Sequence, residues 1–148
     1  MGAPKNRVHP NVTETISTTQ AIAPDVRDWL LAELRFPVMA TIKQSGMPSQ
    51  SVVWFDLDPE RHDIVIMNTR ADRLKHGHLR RDPRLSLCFE AGDDYVTIEG
   101  HVTLDEDPVR GLRVIQDLAR RYGDDPNEFE GQHRVTIELH VERVIRHA

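Results

Sequence analysis

The residues best suited to chemistry lie in one stretch, Asn68 to Arg84, reading NTRADRLKHGHLRRDPR. It holds six of the nineteen Lys and Arg residues (Arg70, Arg73, Lys75, Arg80, Arg81 and Arg84) against two acids, Asp72 and Asp82. Six cations against two acids give +4, in a chain whose net charge is −5 with His neutral. Such a segment reads either as an anion site or as a solvated basic helix. Its context favours the first. The apolar run Ile64 to Met67 reads as a central strand and leads straight into Asn68 and Thr69. A short helix is predicted from Arg73 to about Arg81, with Asp72 as N-cap, Leu74 and Leu79 facing the core, and Asp82-Pro83 as the stop. A phosphate at the strand end would meet the helix N-terminus, the Thr69 hydroxyl, and the side chains of Arg73 and Lys75. Each charge-assisted hydrogen bond contributes on the order of 1.5–3 kcal/mol, so two or three would hold a phosphate against water.

Other chemistries find less support. His76 and His78 point to different helix faces, and His101, His133 and His140 are scattered over strands. With a single cysteine, no zinc-ligand spacing exists, and no metal site is expected. There is no G-x-S-x-G elbow, no Walker A loop and no G-x-G-x-x-G fingerprint. Cys88 lies among Leu85, Leu87 and Phe89 and reads as a buried structural thiol in a reducing, cytoplasmic setting. No apolar run approaches the ~18 residues of a membrane span. The opening MGAPKNRVHP has no apolar signal core. The negative net charge argues against nucleic-acid binding.

The 148 residues suit one domain. Residues 1–22 are polar, rich in Thr and without sustained period, and read as a flexible tail; residues 23–148 form the folded unit. A helix follows Pro24, with Val26, Trp29, Leu30 and Leu34 on one face. Pro37 to Gln44 and Ser49 to Asp56 are predicted as a hairpin about Ser45-Gly46-Met47-Pro48. Arg84 to Ala91 and Tyr95 to Leu104 alternate as strands, and Gly100 within the second marks a bulge or bend. A helix runs from Pro108 to about Tyr122, with Val109, Leu112, Ile115, Leu118 and Ala119 as its core stripe. Arg134 to Ile145 is the last strand. Six mainly antiparallel strands with flanking helices point to a small closed or split β-barrel of the α+β class. Ser49, Gln50 and Ser51 open the second hairpin strand, either as an exposed end or as hydrogen-bonding groups for a flat heterocycle. Trp54 reads as a barrel-core residue or as a pocket wall.

Three segments in this order, FPVMATIKQSGMPSQSVVWFDLDPE, IVIMNTRADRLKHGHLRRDPRLSLCF and YVTIEGHVTL, carry a resemblance. The chain resembles the pyridoxamine 5'-phosphate oxidase-like split β-barrel flavin and deazaflavin oxidoreductases. Within them it is most similar to the branch that uses the deazaflavin coenzyme F420. The resemblance implies a homodimer with the cofactor in a groove at the interface. It also implies hydride transfer between F420, or alternatively FMN, and a small conjugated organic substrate. Arg73 and Lys75 fall at its phosphate-binding positions, Asn68 and Thr69 line the same pocket, and Ser49, Gln50, Ser51 and Val52 match the strand beside the ring. Arg70, Arg80, Arg81 and Arg84 could receive the oligoglutamate tail of F420. A flavin- or haem-binding module without turnover is the alternative on the same barrel. The C-terminal VTIELHVERVIRHA lacks the basic segment of genuine pyridoxamine phosphate oxidases, so that vitamin-salvage activity is not expected.

Overall fold

A computed structural model describes residues 14–17 and 22–147. Its strands are β1 (Glu14–Ser17), β2 (Val38–Ile42), β3 (Pro48–Val52), β4 (Asp56–Leu57), β5 (Ile64–Arg70), β6 (Arg84–Ala91), β7 (Asp94–Asp105) and β8 (Arg134–His147). Its helices are α1 (Pro24–Leu31), α2 (Leu74–Arg81) and α3 (Pro108–Tyr122). A 3-10 turn follows at Pro126–Phe129. All pairings are antiparallel, in the order β3-β2-β6-β7-β8-β5-β4, and β1 lies alongside the far end of β8.

The expected six strands are thus corrected: among the described residues seven run in sequence across the sheet and β1 adds an eighth. Two short elements account for the difference. The second hairpin strand ends at Val52, and Asp56–Leu57 re-pairs separately on β5. Glu14–Ser17 pairs with Ser17 opposite Val144, inside the stretch read as a tail. The rest of that expected tail lies outside the described residues, apart from Ile22, which is buried.

The edge strands β3 and β4 are joined only by Val53, Trp54 and Phe55. That short crossing brings the two ends of the sheet together without hydrogen-bonding them, which makes the barrel split rather than closed. Val53 and Phe55 point into the core, where the Phe55 ring meets Phe89 edge-on at 4.8 Å. Leu30, Met39, Met67, Leu87, Ile98 and Ile137 complete the centre. The β7 glycine performs the role its position implied. The β7–β8 register slips between Glu99 and Gly100. A Cβ on Gly100 would sit 1.9 Å from the His140 carbonyl oxygen.

Several side chains depart from their expected faces. α1 stops at Leu31, so Leu34 falls beyond it and is exposed. Val109, in the first turn of α3, is exposed because the packed face of that helix begins at Gly111. Cys88 lies opposite Leu87 and Phe89 on the outer face of β6 and is half-buried. Residues Val135 to Leu139 of β8 are buried on both faces, since α3 covers the side that would otherwise meet solvent. The ends of α3 follow local chemistry. The Asp107 carboxylate accepts from the Val109 N–H at 3.1 Å, and Gly123 closes the helix at φ +78°.

Candidate functional site

The site is a cleft of about 500 Å3 between the β3 edge, the β5–α2 junction, the start of β8 and the 3-10 turn. All eight residues expected at a cofactor site line it: Ser49, Gln50, Ser51, Val52, Asn68, Thr69, Arg73 and Lys75. Among the described residues β3 is an edge, so its outward backbone N–H and C=O groups face the cleft without a neighbouring strand. Trp54 is a wall of the cleft as well as a packed residue. Its ring stacks on Tyr122 at 5.1 Å and 10°, and meets Phe129 edge-on at 6.1 Å. The Tyr122 hydroxyl fixes this row by donating to the Arg35 carbonyl at 2.6 Å.

The β5–α2 junction differs from expectation in a way that bears on binding. Asp72 does not cap α2. It pairs with Arg70 at 2.6 Å, and Arg73 takes the N-cap position without a side-chain cap. Among the described residues, the N–H groups of Leu74 and Lys75 have no backbone partner. The first turn of α2 is left with open donors and the positive end of its dipole. Leu74, expected in the core, is 80% exposed at the cleft rim, while Leu79 is buried. β5 extends through Asn68 and Thr69 to Arg70, so these two residues are sheet members rather than strand-end groups. The Thr69 hydroxyl donates to the Arg70 carbonyl at 3.2 Å. The Asn68 amide donates to the Gly111 carbonyl at 2.9 Å and accepts from Arg134 Nε at 2.9 Å.

Arg134 was not visible in the basic stretch, yet it belongs to the same cluster. Among the described residues, Arg73, Lys75 and Arg134 form no ion pair with a carboxylate. Burial, with Arg73 and Arg134 close by, pushes the Lys75 ammonium below the ordinary lysine value. Burial, with Arg70 and Arg73 close by, holds the Arg134 guanidinium down at about 10. Asp72 acts on Arg134 and Arg73 from a distance and offsets part of this positive field, but it pairs with Arg70, and an anion is the natural complement of the remainder. Three of the other arginines of the stretch are already engaged: Arg70 pairs with Asp72 at 2.6 Å, Arg84 grips Asp82 at 2.7 Å and Arg81 donates to the Ile42 carbonyl. Among the described residues, no group of three or more His, Cys, Asp or Glu converges as metal ligands. None of the described helices is long and apolar enough to cross a membrane.

The family model for pyridoxamine 5'-phosphate oxidase matches residues 22–148. The chain belongs to the pyridoxamine 5'-phosphate oxidase family. Solved structures share the family's fold. An F420 reductase superposes with a TM-score of 0.68 at 21% identity, covering 82% of this chain and 98% of that one. A conserved hypothetical protein from Mycobacterium tuberculosis gives 0.70 at 22% identity, covering 87% and 88%. HupZ from Group A Streptococcus gives 0.64 at 16% identity, covering 84% and 93%. At these identities the likeness is one of fold, and function rests on the residues of the cleft.

Proposed function

We propose that the chain is an oxidoreductase that binds F420 in this cleft and transfers a hydride between it and a small conjugated organic substrate. One observation carries the reading. Three cations without carboxylate partners converge on an uncapped helix N-terminus beside a free strand edge. A phosphate fits that donor set. Arg73 and Lys75 would bind it with the open N–H groups of α2. Ser49, Gln50, Ser51 and Val52 would lie along a flat ring, with Trp54 closing one side. F420, when bound, supplies the hydride chemistry itself. The protein then has to bind, orient and exclude water, which agrees with a cleft whose described lining has no His, Asp or Glu.

F420 is preferred to FMN because the cations outnumber the charge of one phosphodiester, and a carboxylate tail would neutralise the remainder. Arg70, Arg80, Arg81 and Arg84 contribute less to that argument, since all but Arg80 are held by this chain's own groups. FMN is the second reading; its terminal phosphomonoester suits the same cations. Separate fluorescence titrations of the purified protein with F420 and with FMN distinguish them. Tighter binding of F420 is expected, and micromolar FMN binding with no F420 response would reverse the preference. If neither binds, the oxidoreductase reading falls. Arg73→Ala and Lys75→Ala should each weaken binding about tenfold or more with the fold intact.

We also propose a homodimer. Val52 and Leu74 are 64% and 80% exposed at the cleft rim, apolar surface that a second copy would cover. Light scattering on a sizing column should return twice the 17.0 kDa chain mass. A cytoplasmic setting suits the lone thiol of Cys88.

A further inference from the structure

We propose that Arg134 is a pre-positioned anion-binding residue of the cleft, and that Asn68 and Gly111 are the positioning residues that aim it. The proposal rests on the reading that the cleft takes a phosphorylated cofactor, and it adds what selects the phosphate. Arg134 opens β8 directly opposite Arg70 of β5. Its Nε donates to Asn68 Oδ1 at 2.9 Å and its Nη1 to Gln132 Oε1 at 3.1 Å. The guanidinium carbon stands 5.4 Å over the Phe129 ring. Every one of these partners is neutral. An arginine held for stability alone would ordinarily meet a carboxylate when half-buried. Here the two hydrogen bonds and the ring orient the guanidinium without discharging it, and Nη2 has no partner among the described residues.

The support behind it is equally specific. The Asn68 amide, donating to the Gly111 carbonyl at 2.9 Å, links Arg134 to α3. A Cβ on Gly111 would sit 1.8 Å from the Arg134 carbonyl oxygen, so only glycine lets α3 pack this closely against the start of β8. Arg134 is thus held at its backbone by the close approach of Gly111 and at its side chain by Asn68, Gln132 and Phe129. Arg70 and Arg73 beside it disfavour its charge, Asp72 offsets this only in part, and a bound anion would be held by all of these cations together. Burial first, and then that crowding, lowers the guanidinium pKa, with Asp72 opposing the shift. The result is a receptor that favours a phosphorylated ring compound over the same ring without phosphate.

The readout is a selectivity ratio, measured by fluorescence titration. FMN is compared with riboflavin, and F420 with its phosphate-free deazaflavin chromophore. Arg134→Gln should lower the preference for the phosphorylated partner about tenfold or more while affinity for the phosphate-free ring stays near wild type. Asn68→Ala, which frees the guanidinium without removing it, should lower the same ratio by a smaller factor. Arg134→Lys keeps the charge but loses the fork, so it should lie between wild type and Arg134→Gln, and it decides the matter if the neutral variant is unstable. An unchanged ratio, or an equal loss for both ring compounds, overturns the assignment of Arg134. If Arg73→Ala still lowers the ratio in that case, the phosphate reading survives without it. A wild-type protein with no preference for phosphate removes the underlying reading itself.

Discussion

Two glycines inside helices should respond to alanine with opposite signs. In an exposed helix, Gly→Ala ordinarily stabilises by about 1 kcal/mol, because alanine loses less backbone freedom on folding. Gly77 in α2 meets that condition, with nothing within 4 Å of where its Cβ would stand. Gly77→Ala should therefore raise stability by roughly 0.5–1 kcal/mol. At Gly111 the same methyl would lie 1.8 Å from the Arg134 carbonyl oxygen and 2.6 Å from its carbonyl carbon. Those are backbone atoms, so no side chain can rotate aside, and α3 or β8 must move by an ångström or more. Overpacking of this kind costs about 1–3 kcal/mol. The Asn68–Gly111 hydrogen bond, worth about 1 kcal/mol, would be strained by the same movement. Set against the propensity gain, Gly111→Ala should destabilise by about 1–3 kcal/mol. Each kcal/mol shifts Tm by roughly 2–4 °C in a chain of this size, so calorimetry and urea melts resolve both changes. A Gly111→Ala protein as stable as wild type, with unchanged cofactor affinity, would show that α3 does not press on Arg134 as described.

Gly100→Ala should be worse tolerated still, since its Cβ would stand 1.9 Å from the His140 carbonyl oxygen at the β7 bulge; soluble yield and Tm report it. Tyr122→Phe should cost about 1–3 kcal/mol by urea denaturation, because it removes the donor to the Arg35 carbonyl and the acceptor of the Phe55 N–H while keeping the ring. The hydrogen bond from Arg84 holds the Asp82 carboxyl down at about 2 from an ordinary 3.8. A lowered carboxylate pKa contributes stability that is present above the unfolded value and lost as pH falls toward the folded one. Arg84→Ala should therefore flatten the acid limb of a Tm-versus-pH curve in that window. Lys75 titrates below the ordinary lysine value, so binding of a phosphorylated cofactor should weaken on the alkaline side earlier than an exposed lysine would dictate. Lys75→Arg should move that limb upward, and an alkaline limb identical in the two proteins would show that Lys75 does not meet the phosphate.

The order of elements was largely legible in the sequence, because period-2 and period-3.6 patterns, Pro24, Gly46, Gly100 and Asp82-Pro83 are local signals. The strand count was not. β4 is two residues long, and its existence follows from how the chain crosses between the sheet edges, which no local pattern encodes. The burial of Leu34, Leu74 and Val109 was misjudged because apolar spacing gives a helix a face without saying where packing on that face begins and ends. Leu74 also lies on the cleft rim rather than over the core. The grouping of Ser49 to Val52 with Arg73 and Lys75 was legible from charge together with family resemblance. Arg134 was hidden because it lies 50 or more residues from the rest of the cluster and opens an ordinary strand. Its one trace in the sequence was Gly111, a glycine in an otherwise strong helix, which marks a close backbone approach. Asp72 fits the N-cap preference, yet Arg70 two residues earlier competes for its carboxylate and wins.

Whether the cations of this cleft meet a cofactor phosphate is decided by a crystal structure of the protein with F420 bound. The expected result places the phosphate within hydrogen-bonding distance of Arg73, Lys75 and Arg134 at the N-terminus of α2, with the ring beside Ser49 to Val52. A cofactor bound elsewhere, or Arg73 and Lys75 paired instead with acidic side chains of a second subunit, would contradict it.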